Sequence, residues 1–214
     1  MVKIFLTTFQ EPLNETIYDH YKSMLPVALQ EKNAKFLRWQ DRHSHLLGKI
    51  LFQEAFKTTG LKGEVWDYIE YNAYKRPCLS VEGYDINLSH SGEYVICAIG
   101  EGIRLGIDIE KMKMVEIENF TNIMSTSQYR KIKNSPDQLL EFYKYWTFME
   151  SVVKAEGKGM FIPLDQLEIV NNTVQYDKNL WRIQEINIAE GYKSALATDR
   201  DSEFEITEIN YDRR

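Results

Sequence analysis

The chain has 214 residues, of which 43% are hydrophobic and 13% aromatic, so it can bury one sizeable core or two smaller ones. Its formal net charge of −6 argues against a general binder of nucleic acid or anionic membranes, so an anionic ligand must be held by local basic residues. Two cysteines cannot form a disulfide framework, and no secretory cleavage pattern or membrane-length apolar run is present, so we expect a cytoplasmic protein.

The first sixty residues predict one strand and two helices. The strand is expected over residues 2–9, and the first helix over residues 14–25, where Pro26 ends it. The second helix is expected over residues 37–58. Four basic residues spaced three or four apart form a stripe along it: Arg38, Arg42, His45 and Lys49. A basic stripe is usually a solvated helix face, but in an acidic protein it is also a candidate anion site.

The middle of the chain predicts three antiparallel strands joined by short turns. They are expected over residues 84–89, 93–99 and 103–110. If the Gly-Glu-Gly turn places Ile99 opposite Ile103, the turn that contains His90 falls at the same end of the sheet as Glu110.

The third of these strands alternates without a gap. Its two faces carry the following residues: Ile103, Leu105, Ile107 and Ile109 on one, and Arg104, Gly106, Asp108 and Glu110 on the other. Residues two apart on a strand lie roughly 6.5–7 Å apart on the same face, so both carboxylates can converge on one ion. Hard divalent cations prefer such oxygen ligands. A solvated acidic face is the alternative, and the strand by itself favours it.

The second half of the chain repeats the order of helix first and strands afterwards. A short helix is expected from Gln128, and a long one over residues 139–156, ended by Gly157. Strands are expected over residues 181–188, 192–198 and 203–209. The element order predicts an α+β fold of two similar, pseudo-duplicated halves, each a helix packed on an antiparallel sheet. On the long helix, Glu150 and Lys154 are one turn apart, a spacing equally typical of a surface ion pair.

Four pieces of sequence now stand in order along the chain: residues 87–92, 106–110, 146–159 and 163–165. Together they resemble the Sfp-type 4′-phosphopantetheinyl transferases, and the likeness extends over most of the chain. The resemblance implies that coenzyme A and Mg²⁺ lie in the cleft between the halves. It also implies transfer of the phosphopantetheine arm to a serine of an apo carrier protein, with release of adenosine 3′,5′-bisphosphate. Residues 1–102 would bind coenzyme A, and residues 103–214 would carry the metal site and the catalytic helix.

The resemblance also implies roles for individual residues. Asp108, Glu110 and Glu150 match the metal-binding acids, and Asp108, Glu150 and Lys154 are the expected catalytic residues. Glu150, or a water on the metal, would take the serine proton, and Lys154 would neutralise charge on the leaving oxygen. The expected contacts to coenzyme A are Arg42, Lys75, Arg76, Ser89, His90 and Lys154.

The sequence departs from the family pattern at three places. Met149 stands where a lysine is usual, Ser44 where an arginine is usual, and Lys75-Arg76-Pro77 where Gly-Lys-Pro is usual. The missing arginine can be replaced by one of three residues on the same helix: Arg42, His45 or Lys49. Arg76 keeps a basic residue before proline, and we expect it to contact the 3′-phosphate of coenzyme A.

Two other functions remain open at this point. The missing lysine at Met149 is compatible with a non-catalytic relative that binds coenzyme A or a carrier protein, although the retained acids and Lys154 argue against it. A metal-dependent phosphohydrolase would need a water-positioning group, which the sequence does not identify. Because the cleft would lie between two halves of one chain, we expect a monomer.

Overall fold

A computed structural model describes residues 1–211 as two four-stranded sheets, each packed against one long helix. The strands are β1 (Val2–Thr8), β2 (Ile69–Tyr71), β3 (Pro77–Leu79), β4 (Tyr84–Ser91), β5 (Tyr94–Glu101), β6 (Leu105–Lys111), β7 (Thr173–Tyr176), β8 (Asn179–Ile186), β9 (Tyr192–Thr198) and β10 (Phe204–Glu208). The helices are α1 (Glu15–Ser23), α2 (Val27–Ala34), α3 (Trp39–Lys57), α4 (Thr126–Lys133) and α5 (Gln138–Glu156). The sheet orders are β10-β1-β5-β4 and β6-β9-β8-β7, and β2 and β3 form a separate ribbon.

The two sheets have the same internal arrangement. In the first, β1 is followed by the long helix α3 and then by the antiparallel strands β4 and β5, of which β5 returns to pair with β1. In the second, β6 is followed by α5 and then by β8 and β9, of which β9 returns to pair with β6. The predicted α+β fold of two similar halves is therefore confirmed.

Two of the predicted helix ends match the observed caps. The Asn14 side chain accepts a hydrogen bond from Thr16 N at the start of α1, and Gly157 ends α5 in the left-handed region at φ 77°. Helix α2 was not expected, because Pro26 looked only like the end of α1 although it also precedes the first residue of α2. Within residues 1–211, no helix has the length and apolar character needed to cross a bilayer.

The predicted three-stranded meander is wrong in its last strand. β5 lies between β1 and β4, and β6 belongs to the other sheet, where it pairs with β9. Side chains of β4 nevertheless bind the main chain of β6: Ile107 N donates to Asn87 Oδ1 at 3.0 Å, and Ile109 N donates to Ser89 Oγ at 3.3 Å. These bonds join the edges of the two sheets without a regular ladder.

The turn that contains His90 lies close to Glu110, as predicted, because Ser91 in that turn binds the end of β6. Ser91, next to His90, donates from Oγ to Glu110 Oε2 at 2.8 Å and accepts from Lys111 N at 3.0 Å. The turn therefore lies beside the acidic end of β6 although the two strands are in different sheets.

Strand β6 is buried on both faces from Leu105 to Ile109, so the prediction of a half-buried strand is wrong for these residues. Its apolar face belongs to a core packed between the two sheets, with members from β1, β5 and β9. The strand β10 also ties the halves together, because it adds in parallel to β1 of the first sheet. The functional division at residues 102 and 103 stays a prediction, since the last strand returns to the first half.

Candidate active site

A cavity of about 670 Å³ opens between the two halves. The first half contributes Lys49 and Phe52 of α3, Lys75 and Arg76 of the loop before β3, and Asn87 and Leu88 of β4. The second half contributes Glu150 and Lys154 of α5 and the segment 159–165. This is the place at which the resemblance puts coenzyme A.

A three-residue network lies at the edge of this cleft. Lys154 Nζ lies 2.6 Å from Asp108 Oδ1 and 2.7 Å from Ser89 Oγ, and Ser89 Oγ donates to the same carboxylate oxygen at 2.9 Å. Asp108 is only 2% exposed and Ser89 only 5%, which excludes a solvated acidic face. The Ser89 hydroxyl is engaged within the protein, and its contact to coenzyme A stays a prediction.

Gly106 brings these residues together. A Cβ at this position would lie 2.2 Å from Ser151 O and 2.3 Å from Ala155 N, both main-chain atoms of α5. The helix therefore rests directly on β6, and its side chains at Glu150 and Lys154 reach the face that carries Asp108. The bare backbone of Gly106 serves this close helix packing.

The three acids repel one another. Burial, followed by the charge of Asp108, raises the pKa of both the Glu110 and the Glu150 carboxyl above its ordinary value. Asp108 Oδ2 is buried and has no hydrogen-bond partner among the described residues. Excess negative charge and an unpaired buried oxygen fit a hard divalent cation.

The three acids do not adopt the geometry of a complete metal site. Within residues 1–211, no group of three or more His, Cys, Asp or Glu side chains is arranged to hold a metal ion. Lys154 instead occupies one oxygen of Asp108. The residues thus fit Mg²⁺ in chemical type, and the metal role of Asp108, Glu110 and Glu150 stays a prediction.

The predicted basic contacts lie in different surroundings. Lys75 is exposed on the cavity wall, and His90 is exposed near the end of β4. Arg42 is half-buried on α3, and its carbonyl accepts from Asn33 Nδ2 at 2.8 Å. His45 is neutral, because burial and the nearby Lys49 lower its pKa to about 4. Their contacts to the donor stay predictions.

Lys49 is one of the three stripe residues that the sequence offers in place of the missing family arginine. Among the stripe residues, all within the described part of the chain, it alone lines the cavity. Its Nζ lies 5.0 Å from the Phe52 ring centre, and within residues 1–211 it forms no ion pair with a carboxylate. Ser44, which stands at the position of the family arginine, is buried.

Arg76 lies inside the protein, with its side chain 13% exposed. Its Nε donates to Lys154 O, and its Nη2 donates to Asp85 and to Leu105 O. Within the described residues only Nη1 makes no hydrogen bond, so the predicted 3′-phosphate contact is left to that nitrogen.

Met149 is fully buried in the core of the second half, as its place on the apolar face of α5 predicted. Its neighbour Glu150 is half-buried and lines the cavity. The missing lysine therefore removes no side chain from the network of Asp108 and Lys154.

We expect Met149→Lys to change kcat/KM by less than about tenfold, or roughly 1.4 kcal/mol, and to lower the melting temperature. A lysine here must extend its ammonium from a buried site, which costs folding free energy. Transfer kinetics and thermal melts of both proteins test this, with Met114→Lys as the exposed control outside the cavity wall. An inactive wild type that gains strong activity from Met149→Lys would contradict it.

Several known proteins resemble this chain. A solved holo-acyl-carrier-protein synthase of Thermotoga maritima aligns with 45% of this chain and 62% of its own, at 14% identity and a TM-score of 0.36. The profile of the 4′-phosphopantetheinyl transferase superfamily matches residues 104–197. The 4′-phosphopantetheinyl transferase Sfp of Bacillus subtilis strain 168 is 28% identical over 222 residues, 99% of each chain. Another Bacillus subtilis 4′-phosphopantetheinyl transferase is 32% identical over 173 residues, covering 78% of this chain and 76% of the relative. On the last of these likenesses, at 32% identity over 78% of this chain and 76% of the relative, the chain belongs to the 4′-phosphopantetheinyl transferase superfamily.

Proposed function

We propose that this protein transfers the 4′-phosphopantetheine arm of coenzyme A to a serine hydroxyl of an apo carrier protein and releases adenosine 3′,5′-bisphosphate. The observation that carries the proposal is the contact of Lys154 with Asp108 at the edge of a cleft that also contains Glu150. A lysine beside a group of carboxylates suits a reaction at a diphosphate, where negative charge must be neutralised during bond breaking.

Asp108, Glu110 and Glu150 would hold Mg²⁺, which when bound withdraws electron density from the reacting phosphorus. The serine oxygen forms a bond to the β-phosphorus, and the bond from that phosphorus to the leaving bisphosphate breaks. Glu150 accepts the serine proton as the general base. Lys154 donates to the oxygen on which negative charge grows.

The donor would lie along the first half of the chain, in residues 1–102. Lys75 and Arg42 supply positive charge there, and His90, whose pKa is lowered below its ordinary value by desolvation and by Lys154, offers a neutral ring nitrogen. Lys49 and Lys75 both lie on the cavity wall. The metal and catalytic groups come from the second half, residues 103–214.

Lys49→Met is expected to raise KM for coenzyme A several-fold with little change in kcat, because the variant loses a cation that lines the cleft. It is also expected to raise the melting temperature at pH 7. Burial lowers the pKa of Lys49 to about 8, so the folded state carries the charged form at a cost. That cost is fully present below pH 8 and disappears as the pH rises toward the ordinary lysine pKa.

Initial-rate kinetics from pH 7 to 9 and thermal melts measure both effects. In the wild type, affinity for coenzyme A should fall as the pH passes 8, and Lys49→Met should lack that loss. Lys57→Met is the matched control, since Lys57 is exposed and paired with Glu54 at 2.9 Å. An unchanged KM in Lys49→Met would remove Lys49 from the donor site.

Transfer itself is tested by intact mass. The protein is incubated with coenzyme A, Mg²⁺ and a panel of apo carrier proteins, and each carrier should gain the mass of one phosphopantetheine arm. Binding of coenzyme A without any mass gain across the panel would favour a non-catalytic relative.

We also propose that the protein works as a cytoplasmic monomer. Both walls of the cleft come from one chain, so a second copy is not needed to complete the site. Sedimentation velocity at micromolar concentration measures this directly, and a stable dimer would refute it.

A further inference from the structure

The end of α5 is held by side chains from outside the helix. The last carbonyls of an α-helix have no partner within it and must be satisfied elsewhere. Val153 O accepts from Gly157 N at 2.9 Å, which is a local bond. Lys154 O instead accepts from Arg76 Nε at 2.7 Å, across 78 residues of sequence. The residue whose ammonium binds Asp108 is thus fixed at its main chain by a side chain of the first half.

The same guanidinium binds the start of β6. Arg76 Nη2 donates to Leu105 O at 2.9 Å, and to both carboxylate oxygens of Asp85 at 2.9 Å. Asp85 Oδ2 in turn accepts from Leu105 N at 2.9 Å. Arg76 and Asp85 therefore hold both polar main-chain groups of Leu105, three residues before Asp108.

The loop that carries Arg76 is shaped for this contact. Asn72 Oδ1 accepts from Tyr74 N and Arg76 N, each at 2.9 Å, and Asn72 Nδ2 donates to Gly157 O at 2.9 Å. A Cβ on Gly157 would lie 2.7 Å from Arg76 Cδ, so the approach needs a glycine there. The loop before β3 and the end of α5 are therefore both shaped for the contact between Arg76 and Lys154 O.

We propose that Arg76 is a positioning residue that sets the separation of Lys154 and Asp108 by binding the main chains of α5 and β6 at once. This role differs from the 3′-phosphate contact expected from the sequence, and it rests on the proposed transfer reaction. The ammonium and carboxylate lie 2.6 Å apart, and a displacement of about 1 Å at a reacting group can cost about a hundredfold in rate. Loss of Arg76 should therefore lower kcat more than it raises KM for coenzyme A.

The test compares Arg76→Gln, Arg76→Lys and Arg104→Gln. Arg104 is the matched control, because its Nη2 donates to Ala155 O at 3.4 Å, the next carbonyl of the same turn. Within residues 1–211 its side chain forms no hydrogen bond or ion pair with the first half. We measure kcat and KM with coenzyme A and with 3′-dephospho-coenzyme A, after circular dichroism has established folding. Wild-type transfer, required for any comparison, tests the proposed function separately.

Arg76→Gln should lower kcat about tenfold or more, leave KM for coenzyme A within about twofold, and keep the wild-type preference between the two donors. Arg76→Lys should recover part of kcat, since it retains a cation for Asp85, and Arg104→Gln should stay within about twofold of wild type. A loss of donor preference, or an unchanged kcat, would overturn the proposal. If Arg76→Gln does not fold, Asp85→Asn decides: it should lower kcat in the same direction, and an unchanged kcat would again refute the role.

Discussion

Replacing Asp108 with asparagine is expected to lower kcat/KM at least about a hundredfold, or roughly 2.7 kcal/mol. The change removes the charge that pairs with Lys154 at 2.6 Å, and it weakens the oxygen that we expect to bind Mg²⁺. Lys154 would then face Glu110 and Glu150 without its usual partner. Intact-mass transfer assays over a series of Mg²⁺ concentrations measure the loss and its metal dependence.

Asp177→Asn provides the control for this substitution. Asp177 is also paired with a lysine, since Lys158 Nζ lies 2.5 Å from its Oδ2, but the pair is exposed and is not part of the cavity wall. The control should keep activity within about twofold of wild type. If Asp108→Asn retains wild-type transfer at limiting Mg²⁺, the assignment of Asp108 to the site is wrong. Thermal melts distinguish a loss of activity from a loss of folding.

Gly106→Ala is expected to lower both stability and transfer. The added Cβ would lie 2.2 Å and 2.3 Å from main-chain atoms of α5, which cannot move without displacing the helix. Overpacking of this kind costs about 1–3 kcal/mol of folding free energy. Since α5 carries Lys154, its displacement from β6 should also reduce kcat by tenfold or more, by the same positional argument as for Arg76.

Gly48→Ala is the matched control, because Gly48 is also buried in a helix–sheet contact. Its added Cβ would lie 2.8 Å from Leu88 Cδ2, the end of a flexible side chain, and alanine favours the helical conformation. Denaturant melts and transfer assays of both variants should separate the two positions clearly. A Gly106→Ala protein with wild-type kcat would disprove the link between helix position and chemistry.

The local features of the second half could be predicted well because their causes are local. Helix α5 follows from apolar residues at helical spacing, from Asp137 as its N-cap and from Gly157 in a left-handed conformation at its end. The placement of Met149 in the core and of Glu150 beside the cleft follows from the angle between successive helical residues.

The partner of β6 could not be predicted in this way. A short turn after β5 favours a hairpin between β5 and β6. In the structure, the apolar face of β6 is instead buried in the core between the two sheets. The observed pairing with β9 closes a loop of 80 residues, 112–191, and no local sequence pattern indicates such a contact. The pairing of β6 with β9 does follow the duplication, because β1 pairs with β5 in the first half as β6 pairs with β9 in the second.

By itself, the sequence determined the two similar halves, the glycine end and the apolar face of α5, and the set of acids and bases from which a site could be built. These depend on periodicity and residue chemistry, which act over a few residues. Only the tertiary structure decided the burial of Asp108, the packing of Gly106 under α5, and the enclosure of Arg76 by Asp85, Leu105 and Lys154. Each of these depends on how two halves meet, and a basic residue before proline looks the same in sequence whether it faces a ligand or its own main chain.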